Sequence, residues 1–269
     1  MFSAVSVILA TVGCAPAGPK AAEAATDAMR LRVQVGAPLN AAVSYLRAGT
    51  LAGPVLLLVH GTPGSATGWA DYLVDPPPGM DVVAIDRPGF GQSGPEGAVT
   101  GLDAQAAAVA ALLPADGRPV VLLGHSLGGP VVARVAAAHP TRVTAVVLLS
   151  ASLDPALESI HPMQHVGAWT LVRGMLPRAI RNANAELMAL KPELDSLALL
   201  LPQITAKVII VHGTKDDLVP VANVAFMQAR LSGARCVKTV LLEGRNHFLP
   251  WNSADAVRDA VRQALEDVC

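Results

Sequence analysis

A serine between two glycines is the residue of this chain best placed for nucleophilic chemistry. The segment Gly124-His125-Ser126-Leu127-Gly128 lies between a Val/Leu run and an Ala-rich run, the strand–turn–helix context that makes G-x-S-x-G informative. A sharp turn lifts the hydroxyl clear of the sheet, and glycines on both sides avoid collisions with neighbouring backbone. The following helix directs its partial positive charge toward the hydroxyl. The pattern predicts Ser126 as a nucleophile.

A serine hydroxyl needs a base, and the base needs an acid that orients it. When the serine occupies this kind of turn, the acid and then the histidine follow it along the chain. Of the seven histidines, only His212 and His247 lie beyond Val166. His212 ends a strand-like run before the nearest acids, whereas His247 lies in the loop after the last such run. We therefore predict His247 as the base.

Two adjacent carboxylates, Asp216 and Asp217, follow the seventh strand-like run. Neighbouring side chains point in different directions, so only one of them can meet His247. The other is expected to be solvated or to cap the helix that starts near Pro220. We favour Asp216, with Asp217 as the alternative and Asp154, after the sixth run, as a more distant one.

An oxyanion requires backbone N–H donors. One candidate is the amide of Leu127, directly after the serine, and the second is the amide of Thr62 in the loop His60–Gly64. Pro63 has no N–H to offer, and a plain β-turn is the alternative interpretation of that loop. His60 and His125 are expected to support the loop and the serine turn by hydrogen bonds.

The elements that must position these residues alternate between strand and helix. Eight β-rich runs are visible, namely Leu31–Val35, Val43–Arg47, Val55–Val59, Val82–Ile85, Val120–Leu123, Val143–Leu149, Val208–Val211 and Val237–Leu242. Helix-like segments are Thr100–Leu113, Leu127–His139, Val221–Leu231 and Ser253–Val268. The first two strands are a plausible hairpin, and the later continuous apolar runs are typical of parallel strands covered on both faces. The order predicts a doubly wound α/β sheet.

The core of the fold is therefore assigned to residues 29–151 and 206–269. The segment 152–205 interrupts the alternation and is longer than a simple connection, so we predict a small helical lid insertion over the carboxyl edge of the sheet. Its helix-like pieces, Val166–Met175 and Ala183–Leu190, are punctuated by prolines, among them Pro192. Its large apolar residues are candidates for a pocket roof or for ordinary core packing; they are Met163, Trp169, Leu171, Met175, Leu187 and Met188.

Residues 1–28 are interpreted as an export signal and tether. Phe2–Val12 is uncharged and apolar, and Gly13-Cys14 precedes a stretch of small residues, which resembles a bacterial lipoprotein cleavage site. The prediction is export to the periplasm or cell envelope with Cys14 as the candidate lipid anchor; a cytoplasmic location is the alternative. Export would permit a disulfide between Cys236 and Cys269, but two free cysteines are favoured.

Composition excludes several classes of protein. The chain has 269 residues, of which 52% are hydrophobic and 15% charged, so it is not a disordered chain. Lys and Arg total 20 and Asp and Glu total 21, which leaves no basic face for nucleic acid. No Cys/His cluster has zinc spacing, and no metal or cofactor is predicted. The oligomeric state stays open.

Five motifs occur in the order found in one known family. They are HGTPGS at 60–65, DRPGFGQS at 86–93, GHSLGG at 124–129, GTKDDLVP at 213–220 and GRNHF at 244–248. Together they resemble the α/β-hydrolase fold family over roughly Leu31 to Val268, which implies an eight-stranded, mostly parallel sheet. In the family's G-x-x-D-x-x-V-P pattern the Asp aligns with Asp216. The resemblance also implies that Asp86 and Arg87 stabilise their loop.

The resemblance implies a serine hydrolase that acts through an acyl-enzyme, with esters of small to medium apolar acyl groups as the default substrates. Ser126 argues against the family's dehalogenases and many of its epoxide hydrolases, which use Asp at this position. A C–C bond hydrolase and a cofactor-free haloperoxidase or perhydrolase remain alternatives. A non-enzymatic binding module is the third hypothesis, although it would not require the full Ser–Asp–His set.

Overall fold

The computed structural model describes residues 26–266. Its eight strands are β1 (Arg30–Val35), β2 (Ala41–Gly49), β3 (Val55–Val59), β4 (Asp81–Ile85), β5 (Val120–His125), β6 (Ala145–Leu149), β7 (Lys207–Gly213) and β8 (Cys236–Leu242). Residues 1–25, with Cys14, and residues 267–269, with Cys269, lie outside the described residues, so the export signal and tether stay predictions.

All eight strands form one sheet in the order β1-β2-β4-β3-β5-β6-β7-β8. β1 and β2 form the predicted antiparallel hairpin, and β2 pairs antiparallel with β4. Every other pairing is parallel. All five residues of β3, β4 and β6 are buried, as expected for strands covered on both faces. The predicted eight-stranded, mostly parallel sheet is confirmed.

Helices cover both faces of the sheet. They are α1 (Ala70–Val74), α2 (Leu102–Ala110), α3 (Gly128–Ala138), α4 (Pro162–Ala168), α5 (Thr170–Met175), α6 (Arg178–Ala198), α7 (Asn223–Arg230), α8 (Leu249–Asn252) and α9 (Ala254–Leu265). One apolar cluster joins the sheet to α2, α3, α6 and α7, and a second joins its other face to α1 and α9. The sheet is therefore doubly wound, although α1 and α8 were not predicted.

The segment between β6 and β7 differs from the prediction in its helices. α6 runs for 21 residues with Pro192 inside it, so the predicted break at this proline is wrong. The cost of an internal proline, about 3 kcal/mol, is offset because the face with Leu190, Leu194 and Leu197 is buried. Trp169 and Leu171 are exposed, so core packing does not explain them. A lid role for this segment stays a prediction.

Cys236 is disulfide-bonded, so the expectation of a free thiol there is wrong. The sequence could not show this because a disulfide requires a short Cα–Cα separation that only the fold supplies. Across residues 26–266, no helix has the combined length and apolarity needed to cross a bilayer.

Candidate active site

Ser126 lies on a strained turn between β5 and α3. Its backbone has φ +56°, the left-handed region that a non-glycine residue adopts at a cost. The turn is held because the Ser126 amide donates to the Leu149 carbonyl at 3.0 Å and its carbonyl accepts from the Gly129 amide at 2.9 Å. The sharp turn predicted for this serine is therefore present.

The flanking glycines are required by close backbone contacts. A Cβ at Gly124 would lie 2.3 Å from the Gly128 carbonyl oxygen, and one at Gly128 would lie 2.3 Å from the Val59 carbonyl oxygen. Both distances are too short for any side chain. The spacing of G-x-S-x-G therefore follows from how tightly α3 and β3 pack against the turn.

Asp216 and His247 form a buried pair. His247 Nδ1 lies 2.8 Å from Asp216 Oδ2, and the Asp216 side chain is fully buried. Asp216 Oδ1 also accepts from the amides of Leu218 and Val219 at 3.0 and 2.8 Å. Burial alone would raise the pKa of Asp216, but the hydrogen bond and charge of His247 and the Val219 amide lower it overall. The carboxylate is thus ionised and accepts from Nδ1.

The competing acids have other environments. Asp217 is exposed, as expected for the acid that does not meet the histidine. Asp154 accepts from the Ala156 amide at 2.9 Å and caps a short 3₁₀ turn. His212, the histidine that the sequence does not favour as the base, donates from Nε2 to the Val219 carbonyl at 2.9 Å. The same nitrogen lies 3.5 Å from Asp216 Oδ2. His212 supports the loop that carries Asp216.

Among residues 26–266, no group of three or more His, Cys, Asp or Glu could hold a metal ion.

His247 lies beside the serine turn. Its carbonyl accepts from His125 Nε2 at 2.9 Å, and the two imidazole rings have centroids 4.7 Å apart. Burial, and then the nearby His247, lower the pKa of His125 to about 3, so His125 is a neutral donor. In the described part of the chain, no hydrogen bond joins Ser126 Oγ directly to His247. The prediction that His125 supports the turn is confirmed.

The loop after β3 packs directly against Ser126. A Cβ at Gly61 would lie 2.7 Å from Ser126 Cβ and 3.2 Å from Ser126 Oγ. The amides of Thr62 and Leu127 donate to no residue that the structure describes. Thr62 Oγ1 is buried and likewise has no partner within residues 26–266. Both candidate oxyanion donors are therefore available beside the serine.

Asp86 and Arg87 stabilise loops, as the resemblance implied. Asp86 accepts from the Ala66 amide at 2.7 Å and the Gln92 amide at 3.0 Å. Arg87 donates to the carbonyls of His60 and Gly61 and pairs with Glu186 of α6. Sequence reasoning missed Glu186. The available signal was an acid four residues before Leu190, in line with the apolar stripe of Leu190, Leu194 and Leu197, which indicates a buried partner.

Comparison with known proteins identifies the family. A profile of the alpha/beta hydrolase fold matches residues 54–173. The non-heme chloroperoxidase of Streptomyces lividans is 32% identical over an alignment 234 residues long, and the match covers 70% of this chain and 83% of that protein. The chain belongs to the α/β-hydrolase fold family. In this α/β-hydrolase the serine turn carrying Ser126 lies beside the buried Asp216–His247 pair.

Other relatives match over shorter stretches or by fold alone. Lipase LipV of Mycobacterium tuberculosis is 41% identical over 103 residues, which cover 38% of this chain and 37% of the lipase. The chain spans only 29% and 37% of the first two curated relatives that it matches. The 2-hydroxy-6-oxo-6-phenylhexa-2,4-dienoate hydrolase of Rhodococcus sp. strain RHA1 has a TM-score of 0.68 at 20% identity, covering 87% of this chain and 97% of that one. At this identity the likeness shows the fold alone.

We predict that the buried His125 makes this α/β-hydrolase acid-sensitive. The folded protein keeps this ring neutral down to about pH 3, whereas the unfolded chain binds a proton near pH 6.5. The free energy of unfolding should therefore fall as the pH drops through this window, by about 1.4 kcal/mol per pH unit for this group. Urea unfolding between pH 4 and 6 measures the slope.

His125→Asn should lower the slope of the unfolding free energy against pH by about 1.4 kcal/mol per pH unit, which corresponds to one proton. His165→Asn is the control, because His165 is exposed. An unchanged slope in His125→Asn would contradict the neutral, buried state of this ring.

Proposed function

We propose that this α/β-hydrolase is a serine hydrolase that cleaves carboxylic esters through an acyl-enzyme. The observation that carries the proposal is the 2.8 Å contact between His247 Nδ1 and Asp216 Oδ2, next to a serine held at φ +56°. An ionised acid on Nδ1 fixes the tautomer that leaves Nε2 free to accept a proton. This is the arrangement that activates a serine hydroxyl.

In the proposed acylation, Ser126 Oγ attacks the ester carbonyl carbon and its proton passes to His247 Nε2. The negative charge that develops on the carbonyl oxygen is accepted by the amides of Thr62 and Leu127, which have no other partner among the described residues. Collapse breaks the bond to the leaving alkoxide, which takes the proton from His247. Each oxyanion donor of this kind is worth about 3 kcal/mol.

In the proposed deacylation, a water molecule loses a proton to His247 as it attacks the acyl carbonyl, and Ser126 leaves with that proton. The carboxylate of Asp216 stabilises the imidazolium that forms in both steps. Catalytic hydrogen bonds are often long without substrate and shorten in the complex. The lack of a direct Ser126–His247 hydrogen bond in the described chain is therefore compatible with this mechanism.

Esters of small to medium apolar acyl groups are the proposed substrates. A curated relative named as a lipase supports ester chemistry. A second candidate is perhydrolysis, which the relative named as a non-heme chloroperoxidase favours. The two reactions share the acyl-enzyme and differ in whether water or hydrogen peroxide accepts the acyl group. Peracid formation from acetate and hydrogen peroxide that outpaces ester hydrolysis would favour the second candidate.

We predict that Asp216→Asn lowers kcat for p-nitrophenyl acetate by about 10²- to 10⁴-fold, because the amide no longer favours the productive tautomer of His247. Asp217→Asn is the matched control: the two acids are adjacent, but Asp217 is exposed. It should retain kcat within about twofold. Steady-state kinetics of the three proteins give the comparison, and equal activities of the two variants would rule out the acid assigned here.

We further propose that the chain is exported and held at a membrane through a lipid on Cys14, a prediction that rests on the sequence of residues 2–14. Cys14→Ser should move the protein from the membrane fraction to the soluble fraction, because a single lipid-modified residue is then lost. Immunoblots of fractionated cells measure this. The same distribution for both proteins would argue against the anchor.

A further inference from the structure

Arg87 is a fully buried cation that contacts both the loop His60–Gly64 and α6. Its Nε donates to the His60 carbonyl at 2.9 Å, and its Nη2 donates to the Gly61 carbonyl at 3.0 Å. The other edge of the guanidinium forms two hydrogen bonds to Glu186, at 2.7 and 3.0 Å. One side chain thus connects α6 to the peptide beside Ser126.

The Gly61–Thr62 peptide is trans, so the Gly61 carbonyl and the Thr62 N–H point in opposite directions. Arg87 Nη2 and His60 Nδ1, at 3.0 and 2.7 Å, bind the carbonyl side of this peptide. The Thr62 N–H is therefore held on the other side and donates to no described residue. Because Gly61 lies against Ser126, the direction of this peptide decides where a donor is available at the site.

The tautomer of His60 fits the same arrangement. The Arg87 amide donates to His60 Nε2 at 3.0 Å, so the ring proton is on Nδ1 and is donated to the Gly61 carbonyl. Burial and then the charge of Arg87 keep the pKa of His60 well below its usual value, so the ring stays neutral. Two donors with fixed protonation thus bind one carbonyl.

Glu186 keeps the guanidinium in place. It is nearly fully buried, and its Oε1 also accepts from Gln105 Nε2 at 2.9 Å. The planar guanidinium binds two carbonyls and both carboxylate oxygens at once, a geometry that a lysine ammonium cannot reproduce. Charge on the carbonyl side also polarises the peptide and strengthens its N–H as a donor.

We propose that Arg87, held by Glu186, is a positioning residue that orients the Thr62 amide as an oxyanion donor. The inference rests on the proposed function. Within α6, the proposal concerns Glu186 alone, which acts through Arg87 and not by contact with substrate.

The test compares Arg87→Lys and Glu186→Gln with wild type. Both variants should lower kcat for p-nitrophenyl acetate by about tenfold or more with KM little changed. The reason is that the oxyanion forms in the transition state and is not present in the bound ester. They should also weaken inhibition by a phenylboronic acid, whose tetrahedral adduct places an oxygen in the oxyanion site, by a similar factor. If Arg87 and Glu186 only stabilise the fold, the variants should have a lower urea midpoint, but kcat and boronate affinity should not fall together by a similar factor.

Arg178→Lys is the control. Arg178, at the start of α6, binds the carbonyls of Gly91, Ser93 and Pro95 but has no hydrogen bond to His60 or Gly61. It should keep kcat and the boronate affinity within about twofold.

The outcomes separate the two proposals. If wild type neither hydrolyses the ester nor binds the boronate, the proposed function fails. If wild type does both and the folded variants match it in kcat and inhibition, only the positioning role is overturned. Should Arg87→Lys not fold, Glu186→Gln, which keeps the shape of the side chain, decides between these results.

Discussion

The hydrogen bond between His247 and Asp216 is the interaction on which the candidate active site depends. It joins the loops that follow two neighbouring parallel strands, β7 and β8, whose last residues Gly213 and Leu242 are paired. The two loops approach so closely that a Cβ at Gly213 would lie 2.3 Å from the Arg245 carbonyl oxygen. The acid is buried but ionised, because amides and the imidazole supply the stabilisation that water would give. The His247 imidazole is therefore held in one orientation by the folded chain itself.

The sheet brings the other parts of the site to the same edge. β3 and β5 are parallel with Val59 opposite Gly124, so the loop His60–Gly64 and the serine turn leave the sheet side by side. The histidines around them support this geometry by hydrogen bonds: His60 and His125 are both buried, with pKa values lowered by burial. Neutral rings in these places donate hydrogen bonds without adding charge next to His247.

Much of this arrangement could be predicted from the sequence. The alternation of strand-like and helix-like segments predicts the sheet, and the glycines around Ser126 predict the sharp turn. Ser126 was predictable from its two glycines, and Asp216 from the motif resemblance. The rest depends on tertiary contacts. Pro192 signals a helix break unless the buried face of α6 is known, and the pairing of Glu186 with Arg87 links positions that lie 99 residues apart. The disulfide at Cys236 likewise follows from distance in the fold rather than from composition.

Covalent labelling tests the proposal that Ser126 is a nucleophile activated by His247. A fluorophosphonate reacts with an activated serine hydroxyl and leaves a stable adduct, which peptide mass spectrometry assigns to a residue. One adduct is expected on Ser126, with none in Ser126→Ala and slower labelling in His247→Ala. Equal labelling of wild type and Ser126→Ala, or an adduct on another residue, would contradict the proposal.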